Sequence, residues 1–281
     1  MTLTDPFVLC ALQRAALELR KVRPDRMVVM GICGAQGSGK STLASELAAV
    51  LASDGLRCAI LSLDDLYLTR EDRGALARDI HPLLATRGPP GTHDVTRGLE
   101  IIDRLRNGDA CWLPRFDKAS DDLLPESEWE YVPAGCDVLI LEGWCVGARP
   151  QSAKALGSPV NALEALEDRD GIWRRFTNAA LADAYQELFR RIDHLTFLKA
   201  PAFDVILDWR WQQEDEMRRR ISAGGASRAM NRDQIARFIS HYERITQQLL
   251  EEMPARADVT ASLGRDRHIQ SLNVRRPSDR T

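Results

Sequence analysis

Long hydrophobic runs are missing from this 281-residue chain, and so is any excess of charge of one sign. No stretch approaches the roughly 20 apolar residues that cross a bilayer, so no membrane span is expected. Lys and Arg number 38 against 41 Asp and Glu, a formal charge of −3. That balance does not point to a nucleic acid or a membrane surface as the main partner. The start, Met1-Thr2-Leu3-Thr4-Asp5, has neither a basic segment nor an apolar core, so no secretory signal is expected. The six cysteines (Cys10, Cys33, Cys58, Cys111, Cys136 and Cys145) form no C-x-x-C pair. Three of them lie in or beside apolar strand-like runs, where a cysteine behaves as a small buried hydrophobe. A reduced, cytoplasmic protein is the expectation. Internal repeats and low-complexity tracts are also missing.

What is present centres on Gly34-Ala35-Gln36-Gly37-Ser38-Gly39-Lys40-Ser41, which fits the phosphate-binding pattern G-x-x-x-x-G-K-[ST] at every required position. The apolar run Met27-Val28-Val29-Met30-Gly31-Ile32-Cys33 before it reads as a buried parallel strand. Leu43, Leu47, Val50 and Leu51 after it repeat at helical spacing up to Asp54-Gly55. Strand, glycine-rich turn and helix together let backbone N–H groups converge on phosphate oxygens, with the helix N-terminus adding partial positive charge. Lys40 is expected to reach the β- and γ-phosphates and the Ser41 hydroxyl to sit on Mg²⁺, with Thr42 following in the same cradle.

Two further apolar runs end in acids. Cys58-Ala59-Ile60-Leu61-Ser62-Leu63 delivers Asp64-Asp65-Leu66-Tyr67, and Asp137-Val138-Leu139-Ile140-Leu141 delivers Glu142-Gly143-Trp144. In open parallel sheets ligands bind beyond the carboxyl ends of the strands, and a carboxylate there beside a phosphate loop is the layout that holds Mg²⁺. The Asp pair also suits a turn or a helix cap, and Glu142 could end its strand for solubility alone.

The loop over residues 81–94, dense in Gly and Pro, contains Arg87, His93 and Asp94. Arg87 and His93 are expected to contact a ligand. Asp94 either joins them or caps the helix marked by Leu99, Ile102 and Leu105. Pro114-Arg115-Phe116-Asp117-Lys118 forms a second charged turn, whose Arg115 and Lys118 read on their own as surface charges. An amphipathic helix over residues 7–22 comes before the first strand. Residues 149–170 read as an irregular excursion. A helix follows around Leu181 to Ile192, and then a strand at residues 194–198. Residues 203–221 read as a helix that ends in Arg218-Arg219-Arg220 before Gly224-Gly225, either a lid over the nucleotide or a helix end whose arginines complement its dipole. Another helix opens near Asn231, and residues 268–274 read as a fifth strand.

Taken in order, these segments resemble the phosphoribulokinase/uridine kinase superfamily of small-molecule P-loop kinases, and within it the D-glycerate 3-kinase branch and its kinase-like relatives. Arg87-Gly88 through Gly91-Thr92-His93-Asp94, and Glu142-Gly143-Trp144, carry the resemblance more specifically than the phosphate loop does. It extends from about Val28 onward and takes in Trp209-Arg210 and Gln213-Glu214. The resemblance implies one α/β P-loop kinase domain over residues 1–281: a three-layer fold with a central parallel sheet of about five strands. An N-terminal helix occupies residues 1–25 and a helical lid region about 203–253. The Glu142 strand should lie beside the phosphate-loop strand. ATP and Mg²⁺ are the implied cofactors. Lys40, Asp64 (the base) and Arg218 are the implied catalytic groups, and Ser41, Asp64 and Glu142 the metal side. Asp65, Tyr67, Arg87, His93, Asp94, Arg115 and Lys118 fall on the acceptor side.

Relatives commonly follow the F/Y-D-K turn with a Gly-rich stretch ending in Gly-Asp-Arg, where this chain has Ala119-Ser120-Asp121-Asp122-Leu123-Leu124. The expected activity is phosphorylation of an alcohol on a small acid such as D-glycerate. Two alternatives remain: the same chemistry on a nucleoside or pantothenate-like acceptor, and a nucleotide-gated binding module without turnover. No N-K-x-D guanine-reading motif occurs, which favours ATP over GTP.

Overall fold

A computed structural model describes residues 5–221 and 230–275, with the side chains of 216–221 excluded. Helix α1 (Pro6–Val22) leads into strand β1 (Val28–Gly34), then α2 (Lys40–Ser53), β2 (Cys58–Ser62), α3 (Arg70–Asp79) and α4 (Val95–Arg106). Four short strands follow: β3 (Cys111–Leu113), β4 (Phe116–Asp117), β5 (Asp122–Leu123) and β6 (Glu130–Val132). Then come β7 (Val138–Gly143), α5 (Ala162–Glu167), α6 (Ile172–Ala182), α7 (Ala184–Phe189) and β8 (His194–Lys199). The chain continues through α8 (Val205–Ile221), α9 (Arg232–Ser240), α10 (Glu243–Glu252), β9 (Val259–Leu263) and β10 (Ile269–Val274).

The main sheet has six strands in the order β10-β9-β8-β1-β7-β2. All pairings are parallel except β10 on β9. As the sequence implied, β7, which ends in Glu142, lies directly beside the phosphate-loop strand. Side chains alternate across the sheet. Val29 and Cys33 of β1, with Leu139 and Leu141 of β7, face one core together with Ile102 and Leu105 of α4 and Leu249 of α10. Val28, Met30 and Ile32, with Val138 and Ile140, face the other, against Leu12 of α1, Leu47 and Leu51 of α2, Ile206 of α8 and Ile239 of α9. Each leucine buried this way stabilises the fold by about 1.5–3 kcal/mol. The result is three layers, with helices on both faces of the sheet. No helix among the described residues is long and apolar enough to cross a membrane.

The structure refines the reading in four places. The sheet has six strands rather than about five, the addition being β9, whose sequence Val-Thr-Ala-Ser-Leu is only weakly apolar. The helix expected around residues 181–192 is broken at Asp183 into α6 and α7. Helix α3 has a polar sequence, and its start is set by the Thr69 hydroxyl, which accepts from the Asp72 N–H at 3.1 Å. The excursion over 149–170 is mostly irregular and is tied down from α10. The Arg244 guanidinium donates to Glu164 Oε1 at 2.7 Å, and to the carbonyls of Ala155 at 2.9 Å and Ser158 at 2.6 Å.

Candidate active site

The site forms beyond the carboxyl ends of β1, β2 and β7. At the end of β1 the chain turns through Gly37 (φ 78°) and Gly39 (φ 90°) into α2, which begins at Lys40. Gly37 is required twice over. Its φ lies in the left-handed region, and a Cβ there would come within 2.8 Å of Trp209 Cβ on α8. The loop is therefore backed by α8. Inside it, Ser38 Oγ and Gln36 Oε1 are buried with no hydrogen-bond partner among the described residues.

The Ser41 hydroxyl donates to Glu142 Oε1 at 2.8 Å, and Ser62, at the end of β2, donates to the same oxygen at 3.0 Å. Glu142 is 4% exposed, and its Oε2 has no partner among the described residues. A buried carboxylate oxygen left unpartnered beside a hydroxyl is costly unless a cation completes it. The pair suits a hard divalent ion that takes its remaining ligands from phosphate and water.

Asp64 opens the turn after β2. Its Oδ1 accepts from the Tyr67 hydroxyl at 2.7 Å and its Oδ2 from the Lys118 ammonium at 2.6 Å. Burial alone would raise this carboxyl. The charges of Lys118 and Lys40, with the two hydrogen bonds, outweigh burial and hold it well below the usual carboxylate range. Its neighbour Asp65 goes the other way. Burial raises it despite hydrogen bonds from the Phe116 N–H at 3.0 Å and Arg115 at 2.8 Å. Arg115 also bonds Glu130, so its guanidinium spans two carboxylates.

On the acceptor-side loop, Arg87 is paired with Asp121, which also accepts from Arg73, and both guanidinium groups lie over the Phe116 ring. Asp121 belongs to the segment that replaces the Gly-Asp-Arg stretch, and it has a positive φ of 63°. His93 is buried, with Nδ1 2.5 Å from the Tyr185 hydroxyl and Nε2 without a partner among the described residues. Burial, opposed by the Asp64 charge, pushes it down to about 3, so it stays neutral across the physiological range. Its ring packs on Tyr67 with centroids 4.7 Å apart. Asp94 caps α4, accepting from the Arg97 N–H at 3.0 Å. The capping role left open for it is the one its side chain plays.

Lys40, Ser41, Asp64, Asp65, Tyr67, His93, Glu142 and Lys118 are thus brought to one end of the sheet. The expected Arg218 and its neighbours lie outside the described side chains. Three residues near the site had been given no role from the sequence. Arg73 is 1% exposed and locks Asp121, and Tyr242 donates to the Arg87 carbonyl at 2.8 Å. The third is Arg210, next to Trp209 and ion-paired to the buried Glu214. The Trp-Arg…Gln-Glu spacing was the available signal for Arg210. Arg73 had none, because a lone arginine in a polar helix reads as surface.

A phosphate loop with serine and glutamate joined beside it, and an ionised aspartate at the neighbouring strand end, defines a P-loop phosphotransferase. The chain belongs to the small-molecule P-loop kinases of the phosphoribulokinase/uridine kinase superfamily. It is 34% identical over 237 residues to "Uncharacterized kinase mug58" of Schizosaccharomyces pombe, covering 80% of this chain and 82% of that one. It is 27% identical over 241 residues to the chloroplastic D-glycerate 3-kinase of Arabidopsis thaliana, covering 82% of this chain but 50% of that protein. The solved D-glycerate 3-kinase of Cryptococcus neoformans superposes with a TM-score of 0.78 at 25% identity, over 95% of this chain and 99% of that one. The family model for the methylmalonyl Co-A mutase-associated GTPase MeaB matches residues 11–69, which span the phosphate loop and its flanking elements.

Proposed function

We propose that this kinase uses ATP and Mg²⁺ to phosphorylate a hydroxyl of a small hydroxy acid, D-glycerate. The observation that carries the reading is the setting of Asp64: an ionised carboxylate facing the charge of Lys40 on one side and the cationic acceptor turn on the other. Two D-glycerate 3-kinases among the relatives support the choice of acceptor.

Residues 34–42 would cradle the phosphates. Ser41 and Glu142 would hold Mg²⁺, which neutralises charge on the phosphates when bound. The resemblance implies Asp64 for the metal side as well; its place between Lys40 and the acceptor turn, with Tyr67 and Lys118 on its oxygens, supports the role of base. As the acceptor oxygen bonds the γ-phosphorus, the bond from that phosphorus to the bridging oxygen breaks and its electron pair leaves with ADP. The acceptor proton passes to Asp64. Lys40 would stabilise the charge that spreads over the transferring group. Arg87, Arg115 and Lys118 supply the cationic side that a carboxylate needs. His93 contributes a neutral Nε2, and Tyr67 and Asp65 fix the base and the turn.

A coupled ADP-release assay over hydroxy acids, sugar phosphates, nucleosides and pantothenate is expected to peak with D-glycerate. A nucleoside or pantothenate preferred over every hydroxy acid would end the glycerate reading. In the same assay, Arg115→Ala is expected to raise the acceptor KM about tenfold or more with little change in the KM for ATP. The substitution frees Asp65 and Glu130 and loosens the turn carrying Lys118. Equal damage to both KM values would move Arg115 to the nucleotide side.

A further inference from the structure

The two donors on Asp64 differ in their freedom to leave it. Tyr67 is 3% exposed, and its ring is wedged between His93 and Phe116. Tyr67 therefore closes the buried side of the carboxylate. The Lys118 side chain is 58% exposed, on the turn between β4 and β5, and Asp64 is its one ion-pair partner among the described residues. It closes the solvent side, from which an acceptor arrives. The other acceptor-side cations are pinned more firmly. Arg115 is forked between Asp65 and Glu130, and Arg87 is held by Asp121 over the Phe116 ring. Lys118, exposed and with one partner, is thus the donor that can swing aside without disturbing the packing around Asp64.

We propose that Lys118 is an exchangeable cover on Asp64: it shields Oδ2 from water, and the carboxylate of the acceptor draws the ammonium away so that the acceptor hydroxyl takes its place. The inference rests on the reading of Asp64 as the base. An anionic acceptor gives the ammonium one carboxylate in exchange for another, so uncovering is nearly balanced. A neutral alcohol, or water, offers no such partner and must break the pair uncompensated. Lys118 thus sets specificity in turnover as well as in binding, and it suppresses wasteful hydrolysis of ATP.

The test compares the wild type with Lys118→Met and Lys118→Arg in three assays: ATP hydrolysis without acceptor, phosphorylation of glycerol, and phosphorylation of D-glycerate. Lys118→Met is expected to raise hydrolysis and kcat/KM for glycerol about tenfold each, a fraction of what a general base contributes. It is expected to lower kcat/KM for D-glycerate about tenfold. Lys118→Arg should restore wild-type behaviour within a few-fold. The double variant Asp64→Asn with Lys118→Met should lose the added hydrolysis. A parallel fall in all three activities would make Lys118 a structural residue and overturn the cover. So would a loss confined to D-glycerate, which would leave only a carboxylate contact. The hydrolysis arm needs no acceptor. Faster hydrolysis by Lys118→Met in a protein that rejects D-glycerate would keep the cover and discard the acceptor. Faster hydrolysis that survives Asp64→Asn would discard the base on which both rest.

Discussion

Asp64→Asn is expected to cut turnover by about 10²–10⁴ while leaving the affinity for ATP within about threefold. The substitution keeps the shape of the side chain and its contact with Tyr67 but removes the proton acceptor and the charge that Lys118 and Lys40 face. Lys40→Ala provides the contrast. It lies at the first position of α2, in the phosphate loop itself, so it should lose nucleotide affinity together with turnover. Calorimetric titration of ATP alongside ADP release separates the two variants. Near-normal turnover by Asp64→Asn would show that Asp64 is not the base. Asp65, raised by burial and held by Arg115 and the Phe116 N–H, would then be the next carboxylate to test.

The second large effect is on stability. Arg244→Ala is expected to destabilise the protein by about 3–5 kcal/mol, the range for removing one partner of a buried ion pair. The side chains of Arg244 and Glu164 are 7% and 1% exposed. Alanine would strand the Glu164 carboxylate in the interior and free the carbonyls of Ala155 and Ser158. Thermal unfolding should fall by about 6–20 °C, and hydrogen exchange should rise first across residues 149–170. A loss below about 1 kcal/mol in urea unfolding would mean that the excursion is held by its other contacts. Arg244→Met combined with Glu164→Leu should recover much of the loss, because the desolvation cost of both charges disappears.

Much of this site could be read in the residues because each part had local chemistry. The phosphate loop needs its glycines. Buried parallel strands such as β1 and β7 need continuous apolar runs, and the acids at their ends stand out against them. The elements that escaped notice lack such contrast. Strand β9 alternates apolar residues with Thr260 and Ser262, and α3 has little apolar face. The partners of Arg115 and Arg87 could not be assigned either. Glu130 lies 15 positions after Arg115 and Asp121 lies 34 after Arg87, and only the folding of the short hairpins brings them to those guanidinium groups. The same holds for Arg244, a residue on an amphipathic helix whose importance depends on a segment some 80 positions earlier.

Trp209 gives the molecule an order of assembly. Its Cβ lies against the place where Gly37 has no side chain, while its indole N–H donates to the Arg265 carbonyl at 2.8 Å and Arg267 lies over its ring. The backing of the phosphate loop is therefore fastened to the turn between β9 and β10. During synthesis the turn that braces the loop is made more than two hundred residues after it. A nascent chain can carry every glycine and the lysine of the nucleotide cradle long before it has the rigid support those residues need. Firm nucleotide binding would then wait until the turn between β9 and β10 has been made.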